Sequence, residues 1–173
     1  MEAVILNTKR LMLRPITPDD LEDVYSYVSD IENTRLMMNL PVDSIEETAE
    51  WLGGCDREWQ KETPGICDFA VMLDGALIGD VFVEQTGIDG CGELCWCLDK
   101  KYWGNGYATE AARIVIQFAR ERLHIKHFIA HCDSENIASC RVMEKLGMHR
   151  VSVESGRKNR SSREPRMECL YEL

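Results

Sequence analysis

Lys101–Ala111 reads KYWGNGYATEA, two glycines one residue apart running straight into a helix-forming sequence. The first turn of a helix carries unpaired N–H groups and the positive end of the helix dipole. Flexible backbone at that point serves either a tight turn or an anion held close against the main chain. Two familiar phosphate loops do not fit. A dinucleotide fingerprint needs a third glycine where Thr109 stands, and no G-x-x-x-x-G-K-[ST] run occurs.

Working outward, ELCWCL (Glu93–Leu98) precedes the loop as a strand, and GYATEAARIVIQFARERL follows as a long helix. That helix sets Ala108, Ala111, Ala112, Val115, Phe118 and Ala119 on one face. Upstream, CDFAVMLDGALIGDVFVEQ holds two β-rich runs split by Asp74-Gly75, a strong hairpin signal. Downstream, HFIAHC reads as a strand, and NIASCRVMEKLGM as a helix capped by Asn136 and stopped by Gly147. RMECLYEL forms a last strand. Near the start, a strand over Leu11–Arg14 leads to a helix opened by Thr17 and Pro18 and running to about Ser29. A capping box at Ser44–Glu47 opens a second helix toward Trp59, and RLMMNLP between them reads as a loop or short helix. The order predicts an α/β (α+β) fold with a mixed, mainly antiparallel sheet and about four helices.

No repeat or linker divides the 173 residues, so one domain spanning 1–173 is expected. The net charge of -10 disfavours nucleic acid and anionic membranes as partners. No run approaches a membrane helix, and the apolar stretch after Glu2 is too short for a signal peptide, so a cytoplasmic location is expected. There the eight cysteines stay reduced. Cys95 and Cys97 form C-x-C rather than a zinc pair, and no metal is expected.

Taken together, YWGNGYATEA and NIASCRVMEKLGM resemble the GNAT superfamily of N-acetyltransferases, most nearly its RimJ/RimL-type branch. RLMLRPITPDDLEDVY, LIGDVFVE and ECLYEL are similar to the family's first strand and helix, central hairpin and final strand. The resemblance implies acetyl-CoA as co-substrate, with its pyrophosphate on the backbone of Trp103, Gly104, Asn105, Gly106, Tyr107, Ala108 and Thr109. It implies backbone contacts to the pantetheine arm from Cys97 and Leu98, and Asn136 and Ser139 near the thioester. Lys101 stands where the superfamily has Gln or Arg, a change that backbone binding tolerates.

Acetyl transfer to a primary amine needs a base, a stabilised oxyanion and an acid for the departing thiolate. Many relatives use a tyrosine as the acid, and here that position is Met143. Ser139, on the same helical face, is the available hydroxyl; its other role is a helix-start serine bonding backbone. Glu93 and His131 are candidates for the base, with Glu84 a third. Trp96, Trp103 and Tyr107 either wall a pocket or fill core, and Trp51 and Trp59 read as packing. GRKNRSSREPR reads as a solvated hairpin loop, or as a basic contact for CoA phosphates or an acidic substrate segment. The expected acceptor is a peptide N-terminus or a small amine, and the expected state a monomer or homodimer. A CoA-binding sensor without catalysis is the competing reading, supported by Met143.

Overall fold

The computed structural model describes residues 4–173, so Glu2, on which the leader reading turns, lies outside the described residues. Eight strands form one sheet: β1 (Leu6–Asn7), β2 (Met12–Pro15), β3 (Ile66–Leu73), β4 (Ala76–Gln85), β5 (Cys91–Leu98), β6 (His127–Asp133), β7 (His149–Arg157) and β8 (Arg166–Glu172). Their order is β1-β2-β3-β4-β5-β6-β8-β7, antiparallel throughout except where β5 meets β6. The helices are α1 (Leu21–Val28), α2 (Ile31–Thr34), α3 (Ile45–Trp59), α4 (Tyr107–Arg122) and α5 (Ile137–Leu146). Four of them answer to the helices expected from sequence, and α2 is a single turn inside the stretch between the first two. The mixed, mainly antiparallel class is as the sequence predicts. No helix among the described residues is long and apolar enough to cross a membrane.

Local chemistry explains the elements. Asp74 and Gly75 both hold positive φ, 50° and 85°, which is the geometry of a tight hairpin between β3 and β4. Ser44 Oγ accepts from Glu47 N–H at the start of α3, and Asn136 Oδ1 from Ser139 N–H at the start of α5. Gly147 ends α5 in the left-handed conformation.

Alternation along the strands sends side chains to two faces. Phe69, Val71, Val81, Val83, Leu94, Leu98, Phe128 and Ala130 pack with Ala112, Val115 and Phe118 of α4. On the other face Ala70 and Cys97 meet Val24, Tyr27 and Val28 of α1 and Leu52 and Cys55 of α3. Trp59 is a packing residue, its ring edge-on to Phe69 at 5.0 Å.

The second face buries two acids. Asp68 and Asp80 are 1% and 3% exposed, on neighbouring strands. Tyr27 Oη donates to Asp80 Oδ1 at 2.6 Å, while Asp68 Oδ1 has no partner among the described residues. Burial drives the Asp68 carboxyl well above its ordinary range, and Asp80 adds to the shift. Burial likewise raises Asp80 to about 7, against the pull of the Tyr27 hydrogen bond.

Candidate active site

The site grows from the one parallel pairing in the sheet. β5 and β6 pair over Cys91–His127, Gly92–Phe128 and Glu93–Ile129, and then part. Gly92 leaves room for the Ile125 side chain just before β6, whose Cδ1 would stand 2.8 Å from a Cβ there. Beyond Glu93, β5 runs on beside β4 to Leu98, while β6 continues beside β8 to Asp133. A wedge opens between two strands of one sheet.

Hydrogen-bond alternation shows which backbone groups face that wedge. Gly90 O accepts from Lys126 and His127 on the β6 side, whereas Cys91 O accepts from Thr86 and Asp99 N–H donates to Ile78 O on the β4 side. Even-numbered residues of β5 therefore turn their backbone toward the wedge, namely Leu94, Trp96 and Leu98. The backbone of Cys97 is directed at Asp80 in β4, and its thiol meets Asn33 Nδ2 at 3.6 Å. Of the two residues expected along the cofactor arm, Leu98 lies on the open edge and Cys97 does not. Leu98 O accepts from Trp103 Nε1 at 2.8 Å, which places the half-exposed indole across the wide end of the wedge.

The glycine loop stands at that same end. Gly104 and Gly106 hold φ of 79° and 80°, which other residues adopt only with strain, and a Cβ on Gly104 would meet nothing within 4 Å. Gly106 is the N-cap of α4, and no side chain caps the helix. The first-turn N–H groups of Tyr107, Ala108 and Thr109 are thus left to an outside acceptor. Arg10 braces the loop: Nη1 donates to Asn105 O at 3.1 Å, Nε to Glu110 Oε2 at 2.7 Å, and the guanidinium covers the Tyr107 ring at 4.5 Å. Lys101 is outside this arrangement, paired with Asp99 on the surface.

On the face of α1 and α3, the narrow end of the wedge carries the titratable groups. His131 Nδ1 and Glu93 Oε1 are 2.8 Å apart, both half-buried. The Glu93 hydrogen bond raises the His131 pKa above its ordinary value, with burial opposing. Glu84 is the direct cross-strand partner of Glu93. Like charges set opposite one another on a sheet are unfavourable unless a cation comes between them. Met143 is 1% exposed in the core, and Ser139 is half-buried on the turn above it, its Oγ unbonded among the described residues.

Sequence reasoning missed the polar frame behind this pair. Arg157 donates to Asn159 Oδ1 at 2.7 Å, to the Glu168 carboxylate, and to Leu36 O at 3.5 Å. Asn159 Nδ2 and Arg166 both bond Asp133, which also accepts from Glu135 N–H at 2.9 Å at the entry to α5. In the β7–β8 loop, Arg160 grips Asp43, Glu47 and Met38 O, and Ser161 Oγ donates to Arg35 O. The basic tail is therefore a strap across residues 35–47, on the face opposite the glycine loop. Its composition hinted at a contact; its acidic partners lay too far away in sequence to be identified.

Comparison with known proteins identifies the family and the fold. Residues 10–149 match the family model described as an acetyltransferase (GNAT) domain. The chain is 31% identical over 148 residues to the uncharacterised N-acetyltransferase YnaD of Bacillus subtilis, covering 84% of this chain and 82% of that one. A GNAT-family acetyltransferase from Bacillus anthracis superposes with a TM-score of 0.82 at 26% identity, over 98% of each chain. The ribosomal L7/L12 alpha-N-protein acetyltransferase RimL, solved with coenzyme A, superposes with a TM-score of 0.84 over 98% of this chain and 97% of that one. At 16% identity that last likeness is one of fold alone.

Proposed function

We propose, on the premise that this chain belongs to the acetyltransferase (GNAT) domain family, that it transfers acetyl from acetyl-CoA directly to a primary amine within a ternary complex. The observation that carries the reading is the wedge between β5 and β6, with an uncapped helix start at its wide end and the Glu93–His131 pair at its narrow end. The residues suit the co-substrate. First-turn N–H groups and two positive-φ glycines suit a pyrophosphate, and the backbone of Leu94 and Trp96, with the N–H of Leu98, offers a strand edge to an amide-bearing arm. Acetyl-CoA supplies the activated acyl group and a thiolate leaving group.

The remaining chemistry falls to this chain. The acceptor arrives as an ammonium, which Glu84 and Glu93 attract on the α1 and α3 face. His131, oriented by Glu93, takes its proton, and the amine lone pair attacks the thioester carbonyl. Collapse of the tetrahedral adduct expels the CoA thiolate, which the Ser139 hydroxyl protonates while Ser139 recovers the proton that the adduct's ammonium nitrogen releases. Asn136 holds the first turn of α5 in place through the Ser139 N–H. RimL, which shares the fold, is named for a protein N-terminus as acceptor. A peptide N-terminus is accordingly the first acceptor class to test, with small amines second.

Thiol release from acetyl-CoA, measured against short peptides, polyamines, amino acids and aminoglycosides, tests the reading. Turnover with at least one amine is expected, and Ser139→Ala should lower kcat by about 10²-fold. Tight CoA binding with no turnover across the panel would instead make the chain a CoA sensor, the reading that the buried Met143 favours.

A further inference from the structure

Three thiols converge from three elements outside the catalytic groups. Cys132 is the next-to-last residue of β6, Cys140 lies in α5, and Cys169 lies in β8, and their Sγ atoms all fall within 4.8 Å of one another. Cys132 Sγ and Cys140 Sγ are 3.6 Å apart. The residues are 4%, 7% and 1% exposed, within the apolar cluster that includes Phe128, Ala130, Met143 and Tyr171. Among the described residues no other His, Cys, Asp and Glu side chains converge in this way. No spacing motif announces the group, because each thiol comes from a different element.

A metal–sulfur bond of about 2.3 Å sets ligand sulfurs about 3.8–4.0 Å apart. The cluster meets that spacing with small side-chain adjustments. Its donors are sulfur alone, which excludes the hard oxygen-seeking ions. Zn(II) requires a fourth ligand. No His or carboxylate belongs to the group, and burial keeps water away. Cu(I) is satisfied by two or three thiolates.

We propose that Cys132, Cys140 and Cys169 form a thiolate site for one soft monovalent ion, Cu(I). Each coordinating thiol passes its proton to solvent as the ion binds, so affinity falls as pH falls. Cys132 directly follows His131, and Cys140 directly follows Ser139. An occupied site therefore ties the end of β6 to the first turn of α5. Binding itself is independent of the acetyl-transfer reading.

The test is anaerobic titration of the reduced full-length protein with Cu(I) against a chromophoric Cu(I) chelator. One equivalent is expected to be retained, with thiolate-to-copper charge-transfer absorption. Cys132→Ser, Cys140→Ser and Cys169→Ser should each weaken retention by about 10²-fold, while Cys95→Ser leaves it unchanged. X-ray absorption on the wild-type complex should report two or three sulfur neighbours, a readout that stands even where a variant does not fold. Fewer than two sulfurs, unchanged retention in a folded Cys132→Ala/Cys140→Ala variant, or tighter binding of Zn(II) than of Cu(I) overturns the assignment.

Discussion

Glu93 and His131 are 38 positions apart, yet the 2.8 Å contact makes one unit of two separately chosen candidates. Sequence pointed to each by its strand, but the contact depends on the parallel pairing of β5 with β6, which no local pattern encodes. The unit has a pH signature. A base works when neutral, and Glu93 raises the pKa of His131, so the acidic limb of kcat/KM should lie above the ordinary imidazole value of about 6.5. Glu93→Gln removes the raising charge and should move that limb to lower pH while reducing kcat. An unmoved limb would show that His131 is not the titrating base. The buried acids carry a second signature, this time in stability. Their folded pKa values are raised, so the native state holds more protons than the unfolded chain. Their contribution is complete below about 4 and is lost as pH rises through the raised folded values, about 7 for Asp80. Asp68→Asn should therefore raise Tm at pH 8, by about 2–4 °C for each kcal/mol recovered, with little change at pH 4. Thermal melts at both pH values decide it; an equal shift at the two would mean that charge burial is not the cause.

Among elements, those with strong local signals were legible. The Asp74-Gly75 turn, the Ser44 and Asn136 caps and the apolar face of α4 each appear where the residues require. β1, only two residues long, and β7, exposed along most of its length at the sheet edge, were not. A strand with solvent on both sides has no alternation to display. The wedge was equally hidden, since Glu93–Leu98 and His127–Asp133 read as ordinary strands and only their pairing shows that they part. The sequence reads the glycine loop as an anion cradle, and its geometry gives a clean test. Gly106 holds φ of 80°, while a Cβ there meets only the far end of Arg10 at 3.8 Å. Gly106→Val therefore disturbs the backbone angle without a core clash. The variant should stay folded by circular dichroism while CoA affinity falls about 10-fold or more in calorimetry. Wild-type affinity in a folded variant removes the loop from the cofactor site.

Under the proposed function the sheet separates two tasks across the whole molecule. The face of α4 and α5 carries the glycine loop, and the face of α1 and α3 carries Glu93, His131 and the strap of residues 157–166. Arg160 joins that strap to Asp43 and Glu47, more than 110 positions earlier, and to the backbone of Met38 and Asn39. An exposed pair contributes little by itself. Here one guanidinium engages two carboxylates, and so it acts chiefly on the position of the strap. Arg160→Ala should free the hairpin from residues 35–47 and raise KM for the amine several-fold, with CoA affinity unchanged. Gly106→Val should do the reverse. Because the two sites share no partner, the double variant should show both losses in simple sum. Initial-rate kinetics varying each substrate in turn measure the two terms separately. A rise in the KM for acetyl-CoA in Arg160→Ala would mean that the strap reaches through the sheet, and the division of labour between the two faces would fail.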